Sequence, residues 1–251
     1  MSGASRGAAG RQVSKFALLG LVLGAGGVVA LVASGIGYRL GRWSVGTVLN
    51  IAEWAAYAAV LGLVTSVIGA VLSRPGARRR GFVLSLLGIA VSLPPAAMAV
   101  RWEHAARTYP AINDVSTDTH DPPVFWDMQS PTEYPGGKTA ALQRAAYPDV
   151  VPLLLGVAPG RAYALAIALA KAKGWEIVAD QPDEGRIEAV DASFFYGFKD
   201  EVVIRIAASE GGARVDVRSR SRIGRIDRGV NAKRIRGFLA ALKENADNAK
   251  E

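Results

Sequence analysis

The chain has no cysteine, and that removes three chemistries at once. A disulfide framework, a thiol nucleophile and a cysteine-ligated metal are all excluded, while every compartment stays open. Histidine is almost as scarce. His104 and His120 are the two in 251 residues, and His104 follows directly on an apolar run. No GxSxG elbow occurs anywhere, so a serine triad would have to be assembled from Ser116, His120 and an aspartate of one short loop. Acid is also missing where it would balance base. Residues 1–100 carry nine Lys or Arg and a single acid, Glu53, leaving 21 basic and 21 acidic side chains for residues 101–251. The high overall charge therefore belongs to the first hundred residues, and the remainder is neutral.

What those first hundred residues do contain is uncharged length. Residues 16–38, 54–73 and 81–100 are three runs without a charge, each long enough as a helix to span about 30 Å of hydrocarbon. They show no polar face at helical period, as a soluble buried helix would. They predict a membrane anchor over 1–100, with the lipid bilayer as its partner. The basic flanks set the orientation. Arg6, Arg11, Lys15, Arg74, Arg78, Arg79 and Arg80 fall on one side, against Arg39, Arg42, Arg101 and Arg107 on the other. The N-terminus is expected to be cytoplasmic, which puts residues 101–251 outside. A cleaved first run would leave the large domain on the same side. Gly20 and Gly24, with Gly62 and Ser66, are small pairs at the spacing that lets helices approach closely. Pro94 and Pro95 are expected to kink or end the third helix.

Residues 101–251 read as one α+β domain. Residues 108–159 are rich in proline and aspartate, with a short helix expected at 138–146 and an extended piece at 150–155. A helix follows over 160–173 and closes at Gly174. Strands are expected at 175–179, 186–190, 201–208 and 214–222, the last two joined by the turn Glu210-Gly211-Gly212. Ile235, Phe238, Leu239 and Leu242 fall at i, i+3, i+4 and i+7, an amphipathic closing helix. The prediction is an antiparallel sheet of about four strands with two flanking helices.

Two stretches dominate the domain's charge. Arg218–Arg236 holds eight Lys or Arg against Asp227, and Asn113–Glu133 holds five acids and no Lys or Arg. Strand alternation places Asp216, Arg218, Arg220 and Arg222 on one face, and adjacent guanidiniums repel unless anions lie among them. Arg218, Arg220, Arg222, Arg225, Arg228 and Arg234, with the helix start at Asn231, form a candidate anion or partner site. Asp114, Ser116, Thr117, Asp118 and Asp121 form the acidic motif. Three arrangements are open: the two stretches lock onto each other, they bind an external anion, or the carboxylates do chemistry. A neutral domain with no aromatics among the arginines does not read as a nucleic-acid surface.

The residues themselves resemble a known family. NDVSTDTHDPPVF, then YPGG and QRAAYPDVVPL, then RSRSRIGRIDRGVNAKRIRGFL occur in the order and spacing of the bacterial family catalogued as domain of unknown function 1499. The resemblance covers about 112–242. It implies a frequently membrane-attached domain with these charged segments as its signature, and it supplies no substrate and no catalytic residues.

The favoured expectation is a multi-pass protein of the bacterial inner membrane with a periplasmic domain. Its role would be non-catalytic binding of an anionic envelope ligand or a protein partner, with no cofactor. The alternative is a hydrolase-type enzyme using Asp114, Asp118 and Asp121, with or without a divalent cation.

Overall fold

The computed structural model describes residues 12–77, 79–129 and 133–248. Arg6, Arg11 and Arg78 of the basic flanks, and residues 130–132 of the acidic stretch, lie outside them. The chain forms two compact units, Met1–Glu103 and His104–Glu251.

In the first unit three helices are long and apolar enough to cross a membrane: α1 (Lys15–Arg39), α2 (Val45–Leu72) and α3 (Phe82–Thr108). Their buried residues are small ones, including Gly20, Gly24, Gly62, Ser66, Gly88 and Ser92. In hydrocarbon no hydrophobic force drives helices together, so close backbone approach must supply the contact. A Cβ at Gly20 would strike Ser66, and one at Gly24 would strike Ser92. The large side chains, Leu18, Val22, Val29 and Leu61 among them, point outward. The helix does not end at the prolines: α3 runs through Pro94 and Pro95 to Thr108. Each proline withholds one N–H from the ladder, and apolar surroundings penalise unwinding more than that loss.

The second unit is an α+β domain whose sheet has six strands, two more than the alternation suggested. These are β1 (Asp114–Ser116), β2 (Leu153–Leu155), β3 (Glu176–Gln181), β4 (Arg186–Ala192), β5 (Lys199–Ser209) and β6 (Gly212–Ser221). Strands β3 to β6 form an antiparallel meander, and β1 and β2 share the outer edge of β6. Those two extra strands have three residues each, too few to show a period of two. A short helix, α4 (Gly137–Ala146), lies between them in sequence.

Helices α5 (Pro159–Ala172) and α6 (Val230–Asn248) cover one face of the sheet. That face is hydrocarbon: Val202, Ile204, Ile206, Val215 and Val217 pack against Ala166, Ile235, Phe238 and Leu242. Trp175 stacks on Phe238 with ring centroids 5.2 Å apart. The opposite face carries the charges, and the acidic loop after β1 covers it.

Candidate functional site

Strand register builds the charged face residue by residue. Asp114 stands opposite Arg220, which stands opposite Glu201; Ser116 stands opposite Arg218, which stands opposite Val203. Glu188 is next to Val203, and Arg205 is opposite Asp216. Acid and base therefore alternate across strands instead of accumulating. Asp114, Glu188, Glu201, Asp216, Arg218 and Arg220 are all buried.

Arg218 is the centre of this layer and is 0% exposed. Its Nε and Nη2 donate to the two oxygens of Asp114 at 2.9 and 2.8 Å. Its other donors reach the carbonyls of Pro123 at 3.1 Å and Glu133 at 3.0 Å. Phe125, fully buried on the covering loop, lies 4.9 Å beneath the Arg218 guanidinium and 4.2 Å from that of Arg220. A forked, planar cation suits both tasks, two parallel bonds to a carboxylate and stacking on a ring. Burial pushes the Asp114 carboxyl upward, against the lowering effect of Arg218. Burial, with the Asp114 charge nearby, also raises the Tyr134 phenol to about 12.

The rest of the acidic loop is tied down in the same way. Asp118 reaches Arg214 at 2.7 Å, and Asp121 reaches Arg205 at 2.8 Å. Partial burial raises the Asp118 carboxyl, but the backbone N–H groups of Asp121 and His120, with Arg214, outweigh it and hold the group low. Ser116 donates to the Asp118 carbonyl at 2.8 Å, and its N–H donates to Gln143 of α4 at 2.9 Å. The Thr117 hydroxyl accepts from the Val217 N–H at 2.9 Å. Further along, the N–H groups of Trp126 and Asp127 donate to Glu188 at 2.7 and 3.1 Å.

The three candidate carboxylates thus go to three different arginines: Asp114 to Arg218, Asp118 to Arg214, Asp121 to Arg205. Among the described residues, no group of three or more His, Asp or Glu is arranged to hold a metal ion. General acid–base chemistry needs a carboxyl group open to substrate. Asp114 is sealed between Arg218 and the loop and Asp118 is held by the turn and Arg214, while the Asp121 side chain, bonded to Arg205, is 81% exposed.

The basic residues divide into two sets. Arg218 and Arg220 are interior, Arg220 bonding Glu201 at 2.7 Å. Arg234 is also committed, to Asp191 at 2.7 Å and Asp200 at 2.6 Å. Asn231 is buried and bonds Ser219, Ser221 and the Asn113 carbonyl. The helix start expected to offer its N–H groups is already occupied. Asp227 accepts from the N–H groups of Gly229 and Asn231 at 2.9 Å each. Burial is the main influence on Asp227 and raises its carboxyl. A buried acid at a helix N-terminus is what the dipole favours, and it leaves no room for an external anion there.

The second set is Arg222, Arg225 and Arg228, on the connection between β6 and α6. The Arg222 side chain is 34% exposed while bonding Glu201 at 2.9 Å, Arg225 is exposed and Arg228 half-buried. Arg228 is the one non-glycine with a left-handed backbone among the described residues, at φ 52°. Two bonds fix this loop to the entry of the domain. The Asp227 N–H donates to the Ile112 carbonyl at 2.9 Å, and the Asn113 amide donates to the Gly224 carbonyl at 2.6 Å.

The family model described as "Protein of unknown function (DUF1499)" matches residues 114–242, slightly more than half of the chain. The chain belongs to this family. Neither a search of curated proteins nor one of solved structures finds a match. The matched DUF1499 segment begins at Asp114, the first residue of the buried pair, and ends on α6. It contains all of the charged layer and none of the three apolar helices.

Sequence reasoning missed the other half of the layer. Glu188 and Glu201 are as buried as Arg218. Alternation puts Glu188 of β4 and Glu201 of β5 on the face where β6 carries its arginines, but nothing local marks either as buried.

Proposed function

We propose that this protein is a non-catalytic, membrane-anchored binding module of the bacterial cell envelope. It sits in the inner membrane with its N-terminus in the cytoplasm and its C-terminal domain in the periplasm. Its ligand is anionic, carrying phosphate or carboxylate groups, and docks on the accessible end of the basic segment at Arg222, Arg225 and Arg228. One observation carries the reading. Arg218 and Arg220 are buried and ion-paired with Asp114 and Glu201, whereas Arg225 is exposed and Arg222, though bonded to Glu201, reaches solvent on the same loop, which is anchored at both ends. A loop held at both ends loses little entropy on binding. The preponderance of Lys and Arg on the cytoplasmic flanks of the apolar helices supports the orientation.

The test is thermal unfolding of the full chain in nanodiscs, with inorganic phosphate and with glycerol phosphate. At 100 times its Kd either probe stabilises by about 2.7 kcal/mol. The variant Arg225→Gln keeps the unliganded midpoint, because the side chain is exposed, and loses most of the shift. No shift with either probe in the parent protein, or an equal shift in the variant, contradicts the reading.

A further inference from the structure

Tyr147 carries a hydroxyl that the fold does not use. The residue is 3% exposed, and its oxygen has no hydrogen-bond partner among the described residues. Buried hydroxyls are ordinarily satisfied, and leaving one without a partner costs stability that a phenylalanine there would not. The backbone fixes where the ring goes. Tyr147 closes α4, its N–H donating to the Gln143 carbonyl at 2.7 Å, and Pro148 after it stops the helix.

Water is not far away. The Tyr109 ring lies beside that of Tyr147, with centroids 6.3 Å apart and planes tilted by 43°. Tyr109 is itself 41% exposed and rests on Gly229, where a Cβ would come within 3.0 Å of the ring. It makes no side-chain hydrogen bond among the described residues, so its ring can turn aside without breaking one. The Arg236 guanidinium lies 5.2 Å from the centre of the Tyr147 ring. Arg236 forks onto Asp149 through Nε and Nη2 at 2.6 Å each, and both side chains reach solvent. The fork leaves Arg236 Nη1 unengaged among the described residues.

These surroundings select the chemistry of a ligand. Burial, with the Asp227 carboxylate nearby, raises the Tyr147 phenol to about 12, so it stays a neutral donor and acceptor. A free anion would meet Asp149 and the buried Asp227, while Arg236 is already matched. A cation would have to share the Tyr147 ring with Arg236. A neutral molecule with hydroxyl groups on an apolar frame meets neither objection. The Tyr109 ring offers a flat apolar face, and Arg236 with Asp149 offers donors and acceptors side by side. A pyranose sugar fits both: one face of its ring is C–H, and its neighbouring hydroxyls suit a forked pair.

We propose that Tyr109, Tyr147, Asp149 and Arg236 form a binding site for a neutral sugar. The sugar ring stacks on Tyr109, one hydroxyl takes the hydrogen bond of Tyr147, and adjacent hydroxyls bridge Arg236 and Asp149. The site uses none of Arg222, Arg225 and Arg228, so it does not rest on the anion-binding reading.

The test is saturation-transfer NMR on the full chain in nanodiscs, with glucose, galactose and N-acetylglucosamine as probes. At least one of them is expected to receive saturation on its ring C–H protons, above that seen with empty nanodiscs. Tyr109→Leu keeps an apolar side chain without the flat face and is expected to lose most of that signal. Tyr147→Phe is expected to lose most of it too, while unfolding at the parent's temperature or higher, because no internal hydrogen bond is removed. Absence of saturation with all three sugars overturns the proposal, and so does an undiminished signal in Tyr147→Phe. A lower unfolding midpoint for Tyr147→Phe without any sugar signal assigns the hydroxyl an ordered water only, and the proposal falls. Stabilisation by phosphate through Arg225 is expected to be the same in Tyr147→Phe as in the parent, so the two readings fail separately.

Discussion

Both faces of the sheet are covered, largely by opposite means. On the helix side, Val202, Ile204, Val215 and Val217 meet Ile235 and Phe238, and burial is favourable for each side chain separately. On the loop side, Glu188, Glu201, Asp216, Arg218 and Arg220 are also buried, and none of them would be stable there alone. The first face tolerates piecewise change. The second is correct only as a whole, because each charge is the condition for burying its neighbour. A loop rich in proline and aspartate covers this face with few apolar contacts, Phe125 and Met128 on Val190 and Val203, because the sheet also provides the counter-charges.

The comparison breaks most visibly at Arg218. Arg218→Ala leaves the Asp114 carboxylate buried without its cation and is expected to cost about 3–5 kcal/mol, read from the unfolding of the full chain. Pairing Arg218→Met with Asp114→Leu removes both charges at once and is expected to recover more than half of that loss. Recovery is incomplete because the carbonyls of Pro123 and Glu133 also lose their donor. A double variant no better than the single one would show that the pair is not the unit of stability.

A smaller change sharpens the contrast from the other face. Ile204→Val removes one methylene from the hydrocarbon side, with an expected loss of about 1 kcal/mol that does not vary with pH or salt. Asp118→Asn probes the loop side by pH, since the Asp118 carboxyl is held low in the folded protein. A depressed carboxyl contributes stability that is fully present above the ordinary carboxylate range and is lost as pH falls through the folded value. The variant is therefore expected to be less stable at neutral pH by about 1 kcal/mol and to show a flatter acid limb. An unchanged acid limb would remove Asp118 from the lock.

How much of this could be read beforehand follows the same division. The helix face was legible, since Val202, Ile204 and Ile206, then Val215 and Val217, announce it by alternation, and Ile235, Phe238 and Leu242 by helical spacing. The three apolar helices were legible from their missing charges, although α2 begins at Val45, where the Ser44 cap starts it, and not at the uncharged run beyond Glu53. On the loop side, the meeting of Asn113–Glu133 with Arg218–Arg236 was foreseen as one arrangement among three. Its partners were not. Nothing local distinguishes a buried Glu188 or Glu201 from a solvated one, because burial there depends on a loop some sixty residues away in sequence. In sequence Asp227 is only the one acid in a basic run, and its capping role depends on where Gly229 and Asn231 lie.

The central claim is that the acidic loop is part of the sheet's folded core through its ion pairs. Hydrogen exchange of the full chain in nanodiscs tests it most directly, comparing the amides of Thr117, Trp126 and Asp127 with those of β5. The account predicts that these loop amides exchange nearly as slowly as the strand amides, and that Arg218→Ala releases them before the helix-covered face opens. Rapid exchange of the loop amides in the parent protein, with the strands still protected, would contradict it.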